Sequence, residues 1–330
     1  MTADPQDEGS PAPRKRVTSA DVARVSGVSR ATVSYVLNNA PGRVISESTR
    51  ELVLSTAQRL GHVPYAPART LRLGKSNIVL ALVRDFAFGF VSHRVLRELD
   101  TALAARGFVV LAHRFDESLR PLSDLWGLIS PNVVVAMGGL TVPEQAIIED
   151  SHAKFVRSHG IVPQDRAGEM QVEYLYSRGH RVLGYAMADS PAVQLVAEER
   201  LAGARRACAR LGIPDPIVET VSVDNPVTVF PALDRWAAAE PKVTAVCAHN
   251  DEVAIMVCAG LASRGLVPGK DLAVIGIDNI PMARIALTTI EMDVEAYSKA
   301  VIAAVLAAID DKPQPDPAGD YLHLIVRDSA

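Results

Sequence analysis

Apolar residues recur at helical spacing between residues 17 and 61. Capping and breaking residues divide this stretch into three short helices: Thr18 and Asp21 have the spacing of a capping box, and Ser29 and Ser46 can each begin a helix. The apolar positions of these helices suffice for one small core. They are Val22, Val25, Val28, Val33, Val36, Leu37, Val53 and Leu60. The pattern predicts a helical domain over 17–63.

From residue 77 onward the pattern changes to short runs of β-branched and other apolar residues. The runs are NIVLALV, FVVLA, NVVVAM, KFV, RVLGYAM, IVETVSV, VTAVCA and LAVIGI. Amphipathic stretches alternate with them, at 91–106, 170–178, 198–211 and 252–263. Such alternation is typical of parallel sheets built from βαβ units, and it is long enough for two similar lobes. We expect an α/β body over 77–330, in which the Pro-rich segment 311–317 crosses over to a final strand, YLHLIV.

Two segments show neither pattern. Residues 1–16 lack apolar periodicity and contain several Pro and Asp residues, which predicts a disordered tail. Residues 64–76 include the stretch ARTLRL, which is too short to hold a helix alone because helix nucleation is costly. We interpret 64–76 as a linker with a short helix that needs a partner to become ordered.

The two predicted domains differ in net charge. The 330-residue chain carries a net charge of −4, but residues 14–76 hold eleven Lys or Arg residues against three acidic ones. The remainder of the chain is therefore acidic. A compact basic head on a larger acidic body favours a protein that binds a polyanion through the head and does something else with the body.

The composition and motifs exclude several classes of protein. Three cysteines, Cys208, Cys247 and Cys258, are too few for a disulfide framework and lack metal-ligand spacing, which favours a reducing cytoplasm. The sequence has no apolar run of about 18 residues and no export signal, so no membrane association is expected. It also lacks a Gly-rich dinucleotide loop, a phosphate loop, HExxH and GxSxG. We expect no cofactor, no metal and no catalytic residues.

The segment SGVSRATVSYVL has the features expected of a helix-turn-helix motif. Gly27 permits a tight turn, Val28 fills the angle between the helices, and Ser29 begins the second helix. With the valines of that helix in the core, its exposed side is left to read a major groove. That side carries Arg30, Ala31, Ser34 and Tyr35. The alternative is a pair of packed helices in an ordinary helical subdomain.

The head resembles the LacI/GalR family of transcriptional regulators. The resemblance is carried by VTSADVARVSGVSRATVSYVLN, ISESTRELV and GHVPYAPARTLRLGKS. It implies that Arg30, Ala31 and Tyr35 read bases, Arg30 by pairing with a guanine and Ala31 by touching a thymine methyl. The other DNA contacts that it implies in the helical domain are Thr18, Ser29, Ser34 and Asn38.

The stretch ARTLRL is similar to the hinge helix of that family, which folds on operator DNA when two subunits meet. The resemblance implies that Leu71 wedges into the minor groove. Arg69, Arg72 and Lys75 would then contact phosphates. The alternatives are packing of Leu71 against the body and a solvated basic linker.

The body resembles the periplasmic-binding-protein-like sensor of the same family, through LYSRGHRVLGYA, EERLAGARRACARLGI, AVCAHNDEVAIMV, LAVIGIDNIPMA, LTTIEMD and LIVRDS. It implies a ligand cleft between two lobes, with effector contacts at Arg200, Asp251 and Asp278. A guanidinium and a carboxylate suit hydroxyl-rich molecules. The alternatives are structural: Arg200 pairs with a neighbouring acid, or Asp251 caps the helix that begins at Glu252.

The turn after the first body strand departs from the family pattern. It reads DFAFGF, with Asp85 as a further candidate effector contact. Phe86, Phe88 and Phe90 either form a stacking surface for a ring or belong to the core.

Together these features predict a cytoplasmic, homodimeric, sequence-specific DNA-binding regulator, typically a repressor. Its partners would be a pseudo-palindromic double-stranded operator and a small effector, either a sugar or a nucleoside-like molecule. The alternatives are a cytoplasmic α/β enzyme and a small-molecule-binding protein that use the same cleft.

Overall fold

The computed structural model describes residues 17–37, 45–62, 76–84, 89–115, 121–126, 128–151, 153–190, 193–317 and 319–330. The chain divides into two compact units, Met1–Ser76 and Asn77–Ala330. The predicted tail and most of the predicted linker lie outside the described residues.

Helices form the described part of the first unit: α1 (Ser19–Ser26), α2 (Arg30–Leu37) and α3 (Glu47–Leu60). Thr18 and Asp21 form the capping box of α1, and Ser46 caps α3 through the backbone N–H of Thr49. Gly27 ends α1 at a φ of +71°, a left-handed conformation that glycine adopts at little cost. The core of this unit consists of Val22, Ala23, Val33, Val36, Val53 and Ala57.

The second unit contains two sheets, each in its own lobe. The strands of the first lobe are β1 (Ile78–Arg84), β2 (Val109–Phe115), β3 (Val133–Met137) and β4 (Lys154–Arg157). They run parallel in the order β2-β1-β3-β4, with Val79 opposite Val110 on one side and Val133 on the other. The helices that follow the first three strands are α4 (Phe90–Ala104), α5 (Leu122–Trp126) and α6 (Val142–Asp150).

The second lobe is built on a larger sheet in the order β10-β9-β8-β7-β5-β6. Its strands are β5 (Leu183–Ala188), β6 (Ile217–Val221), β7 (Ala245–Ala248), β8 (Ala273–Ile277), β9 (Thr288–Met292) and β10 (Leu322–Ile325). All neighbours are parallel except β10, which is antiparallel to β9. The accompanying helices are α7 (Gln164–Ser177), α8 (Gln194–Leu211), α9 (Val229–Ala238) and α10 (Asp251–Ser263).

The chain crosses between the lobes three times. It leaves the first lobe after β4, returns after β9 to form α11 (Val294–Ile309), and crosses again after α11 to reach β10. Helix α11 packs against α4 and β4 of the first lobe. Its end is fixed there because Lys154 Nζ donates to the carbonyl of Ala308 at 2.6 Å and Arg106 pairs with Asp310 at 2.6 Å. The predicted crossover at 311–317 is confirmed.

The α/β fold class with two parallel lobes and a helical head is confirmed. The predicted runs correspond to β1–β8 and β10, whereas β9, α5, α6 and α9 were not predicted as elements from the pattern. No helix within the described segments is long and apolar enough to cross a membrane.

Candidate DNA-binding surface and ligand cleft

The first turn of α2 faces outward. Ser29 Oγ accepts a hydrogen bond from the backbone N–H of Thr32 at 3.0 Å, which fixes the start of the helix. Val33 and Val36 are buried in the core of the head, while Arg30 and Ala31 are exposed. A guanidinium and a methyl group at the start of an outward helix can contact base edges in a major groove.

The other predicted DNA contacts differ in exposure: Thr18 and Ser29 are exposed. Ser34 and Tyr35 are half-buried on the later turn of α2. The hydroxyl of Thr18 donates to the Asp21 carboxylate at 2.7 Å and accepts from the Asp21 N–H at 3.3 Å, so it stabilises the start of α1. Asn38, Arg69, Leu71 and Arg72 lie outside the described residues.

A cavity of about 650 Å³ separates the two lobes of the body. It lies at the carboxyl ends of parallel strands, where ligands collect in open α/β folds. The first lobe contributes Ser92, Thr141, Ser158 and Tyr297 among its polar residues, and the second contributes Gln164, Glu198, Arg200, His249, Asn250, Glu252 and Asp278. Because both lobes supply polar groups, a small molecule bound here touches both.

Arg200 is the centre of the second-lobe wall. The residue is 4% exposed, and its side chain donates to three groups from different parts of the chain. Nε donates to Gln164 Oε1 at 2.9 Å, Nη1 to the carbonyl of His249 at 2.7 Å, and Nη2 to Asp278 Oδ1 at 3.1 Å. Arg200 therefore lines the cleft and also pairs with an acid, so the two interpretations of this residue are compatible.

Two glycines bring α7 and α8 close enough to place Arg200. A Cβ on Gly168 would overlap the backbone carbonyl of Arg200, and a Cβ on Gly203 would overlap that of Asp165. Only glycine permits this approach of two helix backbones. The contact sets the position of α8 and hence of the guanidinium.

Asp278 lies on a strained turn directly after β8. Its φ is +108° and that of Asn279 is +49°, a left-handed region that non-glycine residues rarely adopt. Asn279 holds the turn by donating to Glu291 Oε1 at 2.7 Å and accepting from Arg327 Nη2 at 2.9 Å. Such strain persists only where several contacts maintain it, and it concentrates at ligand sites.

Asp251 was expected to contact the effector, but the structure places it behind the cleft wall. It is fully buried, and its carboxylate accepts from Thr289 Oγ1 at 2.6 Å and from the N–H of Ile280 at 2.9 Å. Helix α10 begins at Asp251 and is capped by Asn250, whose Oδ1 accepts from the N–H of Val253. In this arrangement Asp251 supports the Asp278 turn instead of facing a ligand.

Several residues at the cleft were missed by sequence reasoning. They are Gln164, His249, Asn250, Glu252 and Tyr297. Burial and then the nearby Arg200 keep the pKa of His249 well below its ordinary value, so this imidazole is neutral. Burial and then Asp278 raise the pKa of Glu252. Two of these residues could have been found from their position in the sequence, because His249 and Asn250 directly follow a buried parallel strand.

The predicted aromatic turn is described only in part. Asp85, Phe86 and Phe88 lie outside the described residues. Phe90 is half-buried, lines the cleft and packs against the second-lobe core.

Comparison with known proteins gives two family matches on this chain. Residues 18–65 match the bacterial regulatory proteins of the lacI family, and residues 172–330 match the periplasmic binding protein-like domain. The chain is 28% identical over 330 aligned residues to the HTH-type transcriptional repressor PurR of Vibrio parahaemolyticus, covering 89% of this chain and 92% of that protein.

Solved structures show the same fold. A lac repressor dimer bound to operator and the anti-inducer ONPF has a TM-score of 0.78 at 20% identity, covering 96% of this chain and 99% of that one. The complex of the transcriptional regulator CelR with cellobiose has a TM-score of 0.65 at 22% identity, covering 96% and 100%. With the head and the periplasmic-binding-protein-like domain in this order on one chain, the protein belongs to the LacI family of DNA-binding transcriptional regulators.

Proposed function

We propose that the protein is a homodimeric repressor that binds a pseudo-palindromic operator, with an affinity set by a small molecule in the interlobe cleft. The observation that carries this proposal is the outward first turn of α2, where Arg30 and Ala31 are exposed within a strongly basic head. Two such heads match the two-fold symmetry of a palindromic site.

Base readout is assigned to the start of α2. Arg30 pairs bidentately with a guanine, and Ala31 contacts a thymine methyl. Leu71 inserts into the minor groove, and Arg69 and Arg72 contact phosphates, which fix the register without reading sequence. The excess of basic residues between 14 and 76 supports strong phosphate contact.

Effector control is assigned to the cleft. A molecule that touches polar groups on both lobes stabilises one arrangement of the lobes over another, and differential affinity is what couples two sites. Arg200 and Asp278 supply charge-assisted hydrogen bonds to hydroxyl groups. A sugar or a nucleoside-like molecule fits this chemistry, and the related CelR complex contains cellobiose.

We assign the cleft to ligand binding and not to catalysis. We assign the protein to the cytoplasm. The relatives reported above are regulators of transcription. A regulator of transcription acts where the chromosome is, which agrees with three cysteines in thiol form.

Dimerisation is assigned in part to the short helix Pro281–Ile285. Met282 and Ile285 on this helix are 62% and 87% exposed. Adjacent large apolar side chains at the surface are typical of protein interfaces. In a two-fold dimer the same patch is used by both subunits.

Operator selection tests the proposal. Full-length protein is mixed with random duplexes, bound DNA is amplified over several rounds, and the enriched sequences are measured by fluorescence anisotropy against bulk competitor. We expect an enriched site with two inverted half-sites that binds at least about 10³-fold more tightly than random DNA. Absence of enrichment would overturn the assignment.

A further inference from the structure

Negative charge predominates at the cleft wall. Among the described residues that line it, the carboxylates belong to Glu198, Glu252 and Asp278, and Arg200 supplies the single guanidinium. Asp278 forms an ion pair with Arg200 at 3.1 Å, which balances those two charges. Glu198 and Glu252 therefore leave an excess of negative charge facing the cavity.

The cationic group is already engaged. The Nε and both Nη atoms of Arg200 each donate to a protein acceptor, and 4% of the residue is exposed. Three of the five guanidinium N–H groups are therefore held by the protein, and Asp278 already balances the positive charge. A carboxylate or phosphate ligand would have to compete with Asp278 for that charge, whereas a hydroxyl group can accept one of the remaining N–H groups without such competition.

The neighbouring side chains do not offset the excess negative charge of the cleft wall. Asn250 caps α10 through Oδ1, and its neutral side chain only partly offsets the rise in the pKa of Glu252 that burial and Asp278 cause. His249 is buried and neutral, so it adds no positive charge. His159 Nε2 lies 3.0 Å from Glu199 Oε1, so this side chain is paired with an acid of the protein.

We infer that the cleft selects an uncharged or cationic molecule rich in O–H and N–H donors and rejects carboxylates and phosphates. This inference rests on the proposal that the cleft is the effector site. Carboxylate oxygens are acceptors, so they pair with hydroxyl and amino groups, whereas an anionic ligand presents further acceptors and like charge.

A charged-reagent experiment tests the inference without knowledge of the effector. Leu195 lines the cleft one helical turn before Glu198, and Leu195→Cys places a thiol there. The full-length variant, with Cys258→Ala to remove the half-buried native thiol, is treated at pH 8 with a cationic and an anionic methanethiosulfonate. Each rate is divided by that of a small thiol with the same reagent.

We expect the cationic reagent to be favoured about fivefold after this normalisation. Glu198→Gln with Glu252→Gln should remove most of the preference. The matched control is Asp234→Asn, which neutralises an exposed acid on α9 and should leave the ratio unchanged. A ratio of one or less, or a ratio that the double Glu→Gln change does not alter, would overturn the inference.

A matched ligand panel gives the second readout. Calorimetry compares glucose, glucosamine and glucose 6-phosphate, and adenosine with its monophosphate. Tighter binding of a phosphate than of its uncharged parent would contradict the inference, and the reagent ratio decides when no compound of the panel binds. Operator anisotropy on the same protein separates the two proposals, since loss of DNA selectivity refutes the regulator function and leaves the reagent ratio unaffected.

Discussion

The carboxylate of Asp251 accepts a hydrogen bond from the backbone N–H of Ile280 at 2.9 Å, which ties the first turn of α10 to the turn that carries Asp278. Its other oxygen accepts from Thr289 Oγ1 at 2.6 Å. A Cβ on Gly276 would overlap this carboxylate, so the acid is closely enclosed. Asp251 thus holds a wall of the cleft from behind.

This enclosure predicts an unusual dependence of stability on pH. Burial and then Asp278 raise the pKa of Asp251 to about 7 from an ordinary value of 3.8. The folded state therefore keeps a proton that the unfolded chain loses, so this stabilisation is greatest at acid pH and is lost as pH rises through 7. We expect the unfolding free energy of the wild type to fall relative to Asp251→Asn by about 2 to 4 kcal/mol between pH 4.5 and 8.

Urea unfolding at a series of pH values measures this difference. Asp234→Asn is the control, because that acid is exposed and pairs with Arg264 on the surface. Its difference from the wild type should stay nearly constant over the same range. Parallel pH profiles for the wild type and Asp251→Asn would refute the raised pKa.

Arg200→Lys should destabilise the body although it keeps the charge. A lysine ammonium lacks the planar fork that reaches Gln164, the carbonyl of His249 and Asp278 together. We expect a loss of about 1 to 3 kcal/mol in unfolding free energy, because buried acceptors lose their donors. Arg205→Lys on the same helix is the control, since Arg205 is half exposed and lies 3.8 Å from Asp215. Equal effects would show that the three contacts contribute nothing.

The sequence identified Arg200 and Asp278 but could not show their pairing. They lie 78 residues apart and meet only because β8 ends beside α8 in the folded lobe. Strand β9 escaped prediction for a related reason. Thr288 and Thr289 appear polar in the sequence, yet both are fully buried, with hydroxyls that donate to the carbonyl of Arg327 and to Asp251.

The expectation for Asp251 shows a second limit of sequence reasoning. Successive residues at the start of a helix point about 100° apart, so a shift of one position exchanges the cleft wall for the interior. Asn250 lines the cleft and Asp251 is buried behind it. Two adjacent polar residues are equally suited to bind a ligand, and only the folded structure shows which of them faces the cleft.

Gly168→Ala should loosen the contact between α7 and α8. The added methyl group meets the backbone carbonyl of Arg200, which cannot rotate away as a side chain would. We expect a loss of about 1 to 3 kcal/mol, as for overpacking elsewhere, despite the better helix propensity of alanine. Chemical unfolding measures it, with Ser177→Ala at the exposed end of α7 as the control. A Gly168→Ala variant as stable as the wild type would show that the helices separate at no cost.

Arg30→Ala should relax sequence preference, whereas Lys75→Ala should not. Loss of a bidentate guanine contact is expected to weaken the selected operator by about 1 to 3 kcal/mol and to broaden the preference at one position in each half-site. Loss of a phosphate contact weakens all duplexes alike and reduces the salt slope by about one. Anisotropy on operator, single-base variants and random DNA at several salt concentrations separates the two. Identical patterns for both variants would contradict the assignment of Arg30.

Ile285→Asp should weaken the homodimer. Burying an isoleucine stabilises an association by about 1.5 to 3 kcal/mol, and a two-fold interface contains the side chain twice. A carboxylate there adds a desolvation penalty, so we expect the dimer dissociation constant to rise by about 10² or more. Sedimentation velocity over a dilution series measures it, with Val142→Asp on α6, a position that is 80% exposed, as the control. If Ile285→Asp and Val142→Asp both keep the dimer dissociation constant of the wild type, the Pro281–Ile285 surface does not hold the subunits together.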